Sequence, residues 1–172
     1  GKITGAEVRD LLSGAVTPVS ARVTINATGP WSDRTRTLGS ADERPMLRPT
    51  KDVHIVLDAA RLPLPSAVCH FHPRDGRVMF SIPWGDRTYI GTTDTEYEGD
   101  PGEVAADASD VAYLLEAANH YFPSLKLGPQ DVISTWAGLR PLIAPPDQTS
   151  ASQISREHEL LDAVLAAPDD DA

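Results

Sequence analysis

Cysteine is nearly absent from this chain: Cys69 stands alone and cannot close an internal disulfide. A reducing, cytosolic compartment is therefore expected, with Cys69 as a buried free thiol. Basic side chains are scarce too. Lys and Arg number 15 against 25 Asp and Glu, a formal charge of −10 that repels nucleic acid over long range. Any anion site must therefore be local. No apolar run approaches the roughly 20 residues that a membrane-spanning helix needs, and no basic amphipathic helix of the kind that lies on lipid is present. No charged-then-apolar leader precedes the first strand, and no metal site is expected. What is present suits a folded domain: 172 residues, 41% hydrophobic and 23% charged, enough to bury roughly 70% of the surface an unfolded chain exposes. The start at Gly1 without a methionine and the acidic close at Asp169–Ala172 suggest a piece of a longer protein.

The organising stretch runs from Arg77 to Asp100, two extended segments meeting at Trp84-Gly85-Asp86-Arg87. Val78, Phe80 and Ile82 alternate with Met79 and Ser81 before Pro83, and Thr88, Tyr89 and Ile90 resume the pattern after the turn. Gly85 and Asp86 supply the turn chemistry. Val78, Phe80, Ile82 and Ile90 are read as the spine of a sheet. The second strand ends in Gly91-Thr92-Thr93-Asp94, a small hydroxylated run closed by a carboxylate, where a ligand is expected, with Thr92 to Asp94 as a pocket wall.

Upstream, a strand from Lys2 to Arg9, a turn at Leu12-Ser13-Gly14 and a strand to Ser20 form an antiparallel pair. A third strand over Arg22–Ala27 is expected to lead into Thr28-Gly29-Pro30-Trp31, with Ser32 or Asp33 capping a short helix. A small residue and a glycine at a strand's end let backbone amides approach a ligand, although a plain strand-to-helix turn explains the same spacing. Leu38–Arg48 reads as a polar linker. The strand Thr50–Leu57 then places Lys51, Val53 and Ile55 on one face and Asp52, His54 and Val56 on the other. Arg61–Pro65 connects to a short strand, Ala67–Phe71, completing an antiparallel meander.

Asp107 is the expected N-cap of a helix with Asp110 near its positive end. Val111, Leu114, Leu115, Ala118 and Tyr121 or Phe122 form its apolar stripe, while Asp110, Glu116, Asn119 and His120 take the wet face, and Pro123 ends it. A strand over Pro129–Thr135 leads to Trp136-Ala137-Gly138-Leu139-Arg140-Pro141-Leu142. Pro141 holds Arg140 extended, and Gly138 permits a close backbone approach. Ser152–Glu159 is read as a last strand carrying Arg156. Two guanidiniums on nearby strands either clamp a phosphate or carboxylate bidentately or pair with acidic side chains.

Six segments taken together resemble the FAD-dependent glycerol-3-phosphate dehydrogenases, of the glycine and D-amino-acid oxidase class of flavoproteins. They are Ile25–Trp31, Pro49–Val56, the stretch from Ile82 to Thr95, Tyr121-Phe122-Pro123, Trp136–Leu142 and Ser155–His158. The resemblance implies an α+β fold, with the antiparallel sheet of a substrate (cap) domain packed by helices and a remnant of the FAD-binding α/β domain at the N-terminus. Its implied divisions are residues 1–37, 38–135 and 136–172. The implied reaction is oxidation of sn-glycerol 3-phosphate to dihydroxyacetone phosphate, electrons passing through FAD to a quinone, in a cytoplasmic enzyme peripheral to the inner face of the membrane, with a homodimer as a further expectation.

Carried over by position, Ala27, Thr28 and Gly29 approach FAD, Arg140 and His54 are catalytic, and Arg140, Arg156 and Thr93 hold the substrate. Lys51 is a structural candidate. A dianion in so acidic a chain needs focused cations, and a charge-assisted hydrogen bond contributes roughly 1.5–3 kcal/mol. The family's G-x-G-x-x-G fingerprint does not occur in these residues, nor do its upstream histidine and its C-terminal glycine-lysine-threonine segment. This chain alone is therefore expected to be inactive and to carry no flavin. Two other readings stand beside this one: a non-catalytic anion-binding or interaction module, and a related FAD-dependent oxidase of an amine or hydroxy acid.

Overall fold

The computed structural model describes residues 3–38 and 45–143, which divide into two units at Met46/Leu47. In the first unit, β1 (Gly5–Arg9) pairs antiparallel with β2 (Val16–Ser20), Gly5 opposite Ser20. Asp10 organises their turn by accepting from Leu12 N at 2.9 Å and from the Ser13 hydroxyl, while Gly14 takes φ +74°. The strand expected over Arg22–Ala27 does not form. Val23 and Ile25 are 74% and 78% exposed, and no described strand lies alongside to receive their backbone hydrogen bonds.

A 3₁₀ turn over Gly29–Trp31 runs directly into α1 (Ser32–Arg36). Neither Ser32 nor Asp33 is the N-cap, because that turn already places Ser32 inside the helix. The Ser32 hydroxyl donates instead to Gly29 O at 2.8 Å, and Asp33 accepts from Met46 N at 2.9 Å. That last bond ties residues 45–46 to the first unit, which moves the change of unit from the expected position 38 to 46.

The second unit is built on β3 (Leu47–Asp58), the long central strand of an antiparallel sheet. On one edge it pairs with β6 (Arg87–Gly91) and, further along, with the short β7 (Thr95–Glu96). Outward from β6 lie β5 (Val78–Trp84) and the edge strand β4 (Val68–Phe71). The other edge of β3 takes β8 (Val132–Ile143) along nearly its whole length. β8 crosses positions 135 and 136 unbroken, so the division expected there falls inside one strand. The turn between β5 and β6 has two residues, Gly85 and Asp86, with Gly85 at φ +61° as the hairpin requires.

One face of the sheet is covered by α2 (Ala108–Tyr121). Val53, Ile55, Leu57, Met79 and Ile90 pack there against Leu114, Leu115, Ala117 and Ala118, with Leu62 and Leu127 closing the core. Burying each Leu or Ile contributes about 1.5–3 kcal/mol. The cap is reciprocal: Asp107 accepts from the amides of Ser109 and Asp110, and Asp110 accepts from Asp107 N.

Four expectations change in this unit. Met79 and Ser81 point into the core, whereas Val78 and Phe80 are exposed and Ile82 is half-buried. The pairing decides it: Ser81 stands opposite Ile90, and Ser81 and Thr88 can be buried because their hydroxyls find His70 Nε2 at 3.0 Å and Leu62 O at 2.9 Å. Cys69 is exposed, since it lies opposite Phe80 on the uncovered face of the edge strand. Asp110 is not on the wet face; it is 4% exposed and bonded to Lys51. Asn119 also turns inward, exchanging two 2.8 Å bonds with Leu127. Glu116 and His120 are exposed as expected. Among the described residues no helix is long and apolar enough to cross a membrane.

Candidate active site

The face of the sheet opposite α2 is open, and chemistry-bearing side chains collect there. The alternation along β3 sends Thr50, Asp52, His54 and Val56 to this face, and the registers bring Tyr89 and Gly91 from β6 and Trp136, Gly138 and Arg140 from β8 beside them. His54 lies directly opposite Trp136 on one side and Gly91 on the other. Its ring stacks on Trp136, 4.8 Å between centroids at 15°, with Tyr89 edge-on at 6.0 Å. Gly91 is required for this arrangement: a Cβ there would lie 2.0 Å from His54 Cδ2. The Gly91–Thr92 peptide is cis.

Arg140 stands opposite Thr50, and its side chain runs diagonally to bond Asp52 through Nε. The guanidinium side chain is 33% exposed and the carboxylate 12%. Nη1 and Nη2 of Arg140 make no hydrogen bond among the described residues. Burial pushes the Asp52 carboxyl above its ordinary value, with Arg140 pulling the other way. Burial also pushes His54 below the ordinary imidazole value, opposed by Asp52 and reinforced by Arg140, so the ring is neutral at pH 7.

The other candidates separate. Thr93 is buried with its hydroxyl committed to the β3 backbone, accepting from Val53 N at 2.9 Å and donating to Lys51 O at 3.0 Å. It pins the segment after β6 to β3. Lys51 lies on the covered face with its Nζ 2.6 Å from Asp110 and 2.8 Å from Asp107, away from His54 as the alternation anticipates. Arg156 and the strand read around it lie outside the described residues. In the first unit, Ala27 is exposed, and Thr28 is held by its own neighbours: its hydroxyl donates to Asn26 Oδ1 at 2.8 Å, and Asn26 Nδ2 donates to Ser32 O at 3.0 Å. Gly29 follows at φ +58°.

Asp52 and Tyr89 were given no site role from the sequence, and Gly91 and Trp136 entered only as members of the runs Gly91–Asp94 and Trp136–Leu142. The only signal for Asp52 was its shared face with His54; its partner lies 88 residues away, across a register that spacing does not reveal.

Several features mark surfaces that another group completes. Thr50 Oγ1 and Asp52 Oδ1 are buried without hydrogen bonds of their own, the Thr92 hydroxyl lying close to the carboxylate. A Cβ at Gly138 would meet nothing within 4 Å, so the close approach anticipated there is not made by the chain itself. Nor would one at Gly29, where the backbone is equally bare. Each of these glycines, in its own unit, leaves room for a flat ligand such as a flavin.

Residues 2–166 match the family described as FAD dependent oxidoreductase. The chain belongs to that family. It is 42% identical over 159 residues to a protein of Staphylococcus haemolyticus named aerobic glycerol-3-phosphate dehydrogenase, and 45% identical over 147 residues to an alpha-glycerophosphate oxidase of Streptococcus pneumoniae. These alignments take in 92% and 84% of the chain but only 28% and 24% of the two relatives. Among solved structures it resembles a glycerol-3-phosphate dehydrogenase from Bacillus halodurans complexed with FAD, at TM-score 0.74 and 42% identity over 83% of this chain and 29% of that one. The chain thus spans under a third of the length of these relatives, and its sheet and helix are a section of a flavoprotein fold.

Proposed function

We propose that this chain supplies the substrate face of an FAD-dependent enzyme that oxidises sn-glycerol 3-phosphate to dihydroxyacetone phosphate. The observation carrying the reading is Arg140: a guanidinium held by one edge and open at the other, on the uncovered face of the sheet, in a chain 42% identical over 159 residues to a protein named aerobic glycerol-3-phosphate dehydrogenase. A phosphate dianion meeting a chain of charge −10 is repelled except where a cation is fixed in place, and Arg140 provides that place. Bound FAD supplies the hydride acceptor.

The residues of this chain bind and orient. Arg140 receives an anionic oxygen of the substrate through Nη1 and Nη2, and Arg156 is the second cation of the clamp. His54, neutral and immobilised between Trp136 and the Gly91 backbone, offers a ring nitrogen to the hydroxyl that loses its proton. The aromatic cluster of His54, Tyr89 and Trp136 gives that hydroxyl an apolar wall to lie against. Thr93 acts by holding the wall after β6 in place. The backbone at Ala27, Thr28 and Gly29 approaches the cofactor, with Gly29 leaving room above its Cα. In this reading electrons leave to a quinone, with the assembled enzyme on the cytoplasmic face of a membrane.

The test compares two arginines in the full-length enzyme. Arg140→Lys removes the planar fork, so kcat/KM for glycerol 3-phosphate is expected to fall about 10- to 100-fold, the worth of one lost charge-assisted hydrogen bond. Arg61 is bound bidentately to Asp131 at 2.6 and 3.1 Å, and Arg61→Lys should change turnover less than about threefold. Equal, small effects would sink the assignment. Relatives named dehydrogenase and oxidase are similar to this chain in like degree, so the acceptor is read separately: quinone reduction is expected, and stoichiometric hydrogen peroxide would overturn that part.

A further inference from the structure

The bond between Arg140 and Asp52 is made by Nε, the inner edge of the guanidinium, and the two residues are not cross-strand partners. Arg140 is opposite Thr50, and Asp52 is opposite Gly138, so the arginine side chain is drawn diagonally along the face towards Asp52. A flexible guanidinium on a strand would otherwise sample several directions, losing rotamer entropy each time an anion fixes it. Here a carboxylate that is 12% exposed, on the rigid central strand of the sheet, fixes it beforehand. The edge left over is Nη1 and Nη2, the pair whose spacing matches two oxygens of a phosphate or carboxylate.

We infer that Asp52 is the positioning residue of the site: its carboxylate grips the Nε edge of Arg140 and aims the terminal nitrogens at the anionic group of the substrate. The inference rests on the substrate reading above and adds to it a residue with two opposed effects. Asp52 directs the fork, which favours the reacting geometry, and its negative charge offsets that of Arg140, which weakens anion binding. Affinity and turnover are thereby uncoupled at one side chain, and a residue that merely supported the fold would not uncouple them.

The experiment uses the full-length, FAD-loaded enzyme and three readouts: kcat with glycerol 3-phosphate, the Kd of inorganic phosphate by calorimetry, and Tm. For Asp52→Asn, kcat is expected to fall at least about tenfold while phosphate binds about threefold more tightly. Asp52→Glu keeps the charge but displaces the carboxylate by one methylene, so kcat falls and phosphate Kd holds; it decides the matter if Asp52→Asn melts too early to assay. In an Arg140→Lys background, Asp52→Asn should have no further effect on kcat. Unchanged kcat in both Asp52 variants would overturn the inference. So would a parallel loss of turnover and phosphate binding, or additivity with Arg140→Lys. A parent enzyme that carries flavin yet neither binds phosphate nor oxidises glycerol 3-phosphate would overturn the substrate reading and this inference together. An active parent with an indifferent Asp52 overturns this inference alone.

Discussion

β3 supplies one half of an ion pair on each of its two faces, from adjacent positions in the chain, Lys51 on the covered face and Asp52 on the open one, and the two pairs serve different ends. On the covered face Lys51 reaches Asp110 and Asp107, the two residues that cap α2, and so fastens the helix terminus to the sheet. Its ammonium is a point charge in a closed place. On the open face Asp52 holds Arg140, and both groups belong to the sheet itself. That pair fastens no other element. The planar guanidinium keeps one edge unused, which an ammonium could not do. The pairs thus differ in the cation, ammonium against guanidinium, and in whether the space above them is filled by a helix or left open.

The largest expected effect tests that contrast. Lys51→Ala leaves Asp110 buried and unpaired, and stability should fall by about 3–5 kcal/mol, a Tm shift of about 6–20 °C in a chain of this size. Arg140→Ala should lower stability by no more than about 1–2 kcal/mol, because the pair is partly exposed and burial already favours the neutral form of Asp52. Thermal melts of the two variants decide it. Comparable shifts would mean that the open-face pair is as structural as the covered one.

The contrast was only half legible in the sequence. Period-two alternation correctly put Lys51 and His54 on opposite faces of β3, and the capping signal at Asp107 and Asp110 located α2. Alternation does not say which face a helix will cover. In β5 both sets of alternating residues are tolerable in a core, and Ser81 went inside because His70 was waiting across the β4–β5 pair. Lys51 explains Asp110 in the same way: a carboxylate on an amphipathic helix reads as wet until its buried partner is known. Arg22–Ala27 shows the reverse failure, a good strand pattern with no described neighbour to pair with. The open face was the least legible part, since it depends on β3–β8 and β3–β6 registers that join residues far apart in the chain.

A smaller effect probes the open face directly. Gly91→Ala places a methyl where the His54 ring now lies, and because the clashing atoms belong to a side chain, the ring must swing away from Trp136. Stability is expected to fall by about 1–3 kcal/mol, the usual range for overpacking, with a change in tryptophan fluorescence from the lost stack. Adding His54→Ala to Gly91→Ala should restore most of the lost stability, since the methyl then has room. Additive losses would show that Gly91 serves the backbone of β6 and not the histidine, and would remove the argument that the open face is built around a fixed imidazole.

The smallest effect belongs to the covered face and is read by acid. Lys51 first, then Ser109, holds the Asp107 carboxyl well below its ordinary 3.8, so the folded state binds this proton less readily than the unfolded one. The stability contributed by Asp107 is therefore fully present above pH 3.8 and is lost as pH falls from there through the depressed folded value. Asp75 and Asp131 are shifted in the same direction by their own partners and add to the same acid limb. Asp107→Asn should accordingly reduce the dependence of stability on pH below 3.8 without abolishing it, while leaving the profile between pH 5 and 8 parallel to that of the parent. Asp107 is itself largely exposed, so the change in slope is modest, and Asp110 still holds Lys51. Urea midpoints at a series of acidic pH values measure it. An unaltered acid limb would leave Asp110 as the sole carboxylate through which Lys51 ties α2 to the sheet, and would narrow the covered-face arrangement to one buried pair.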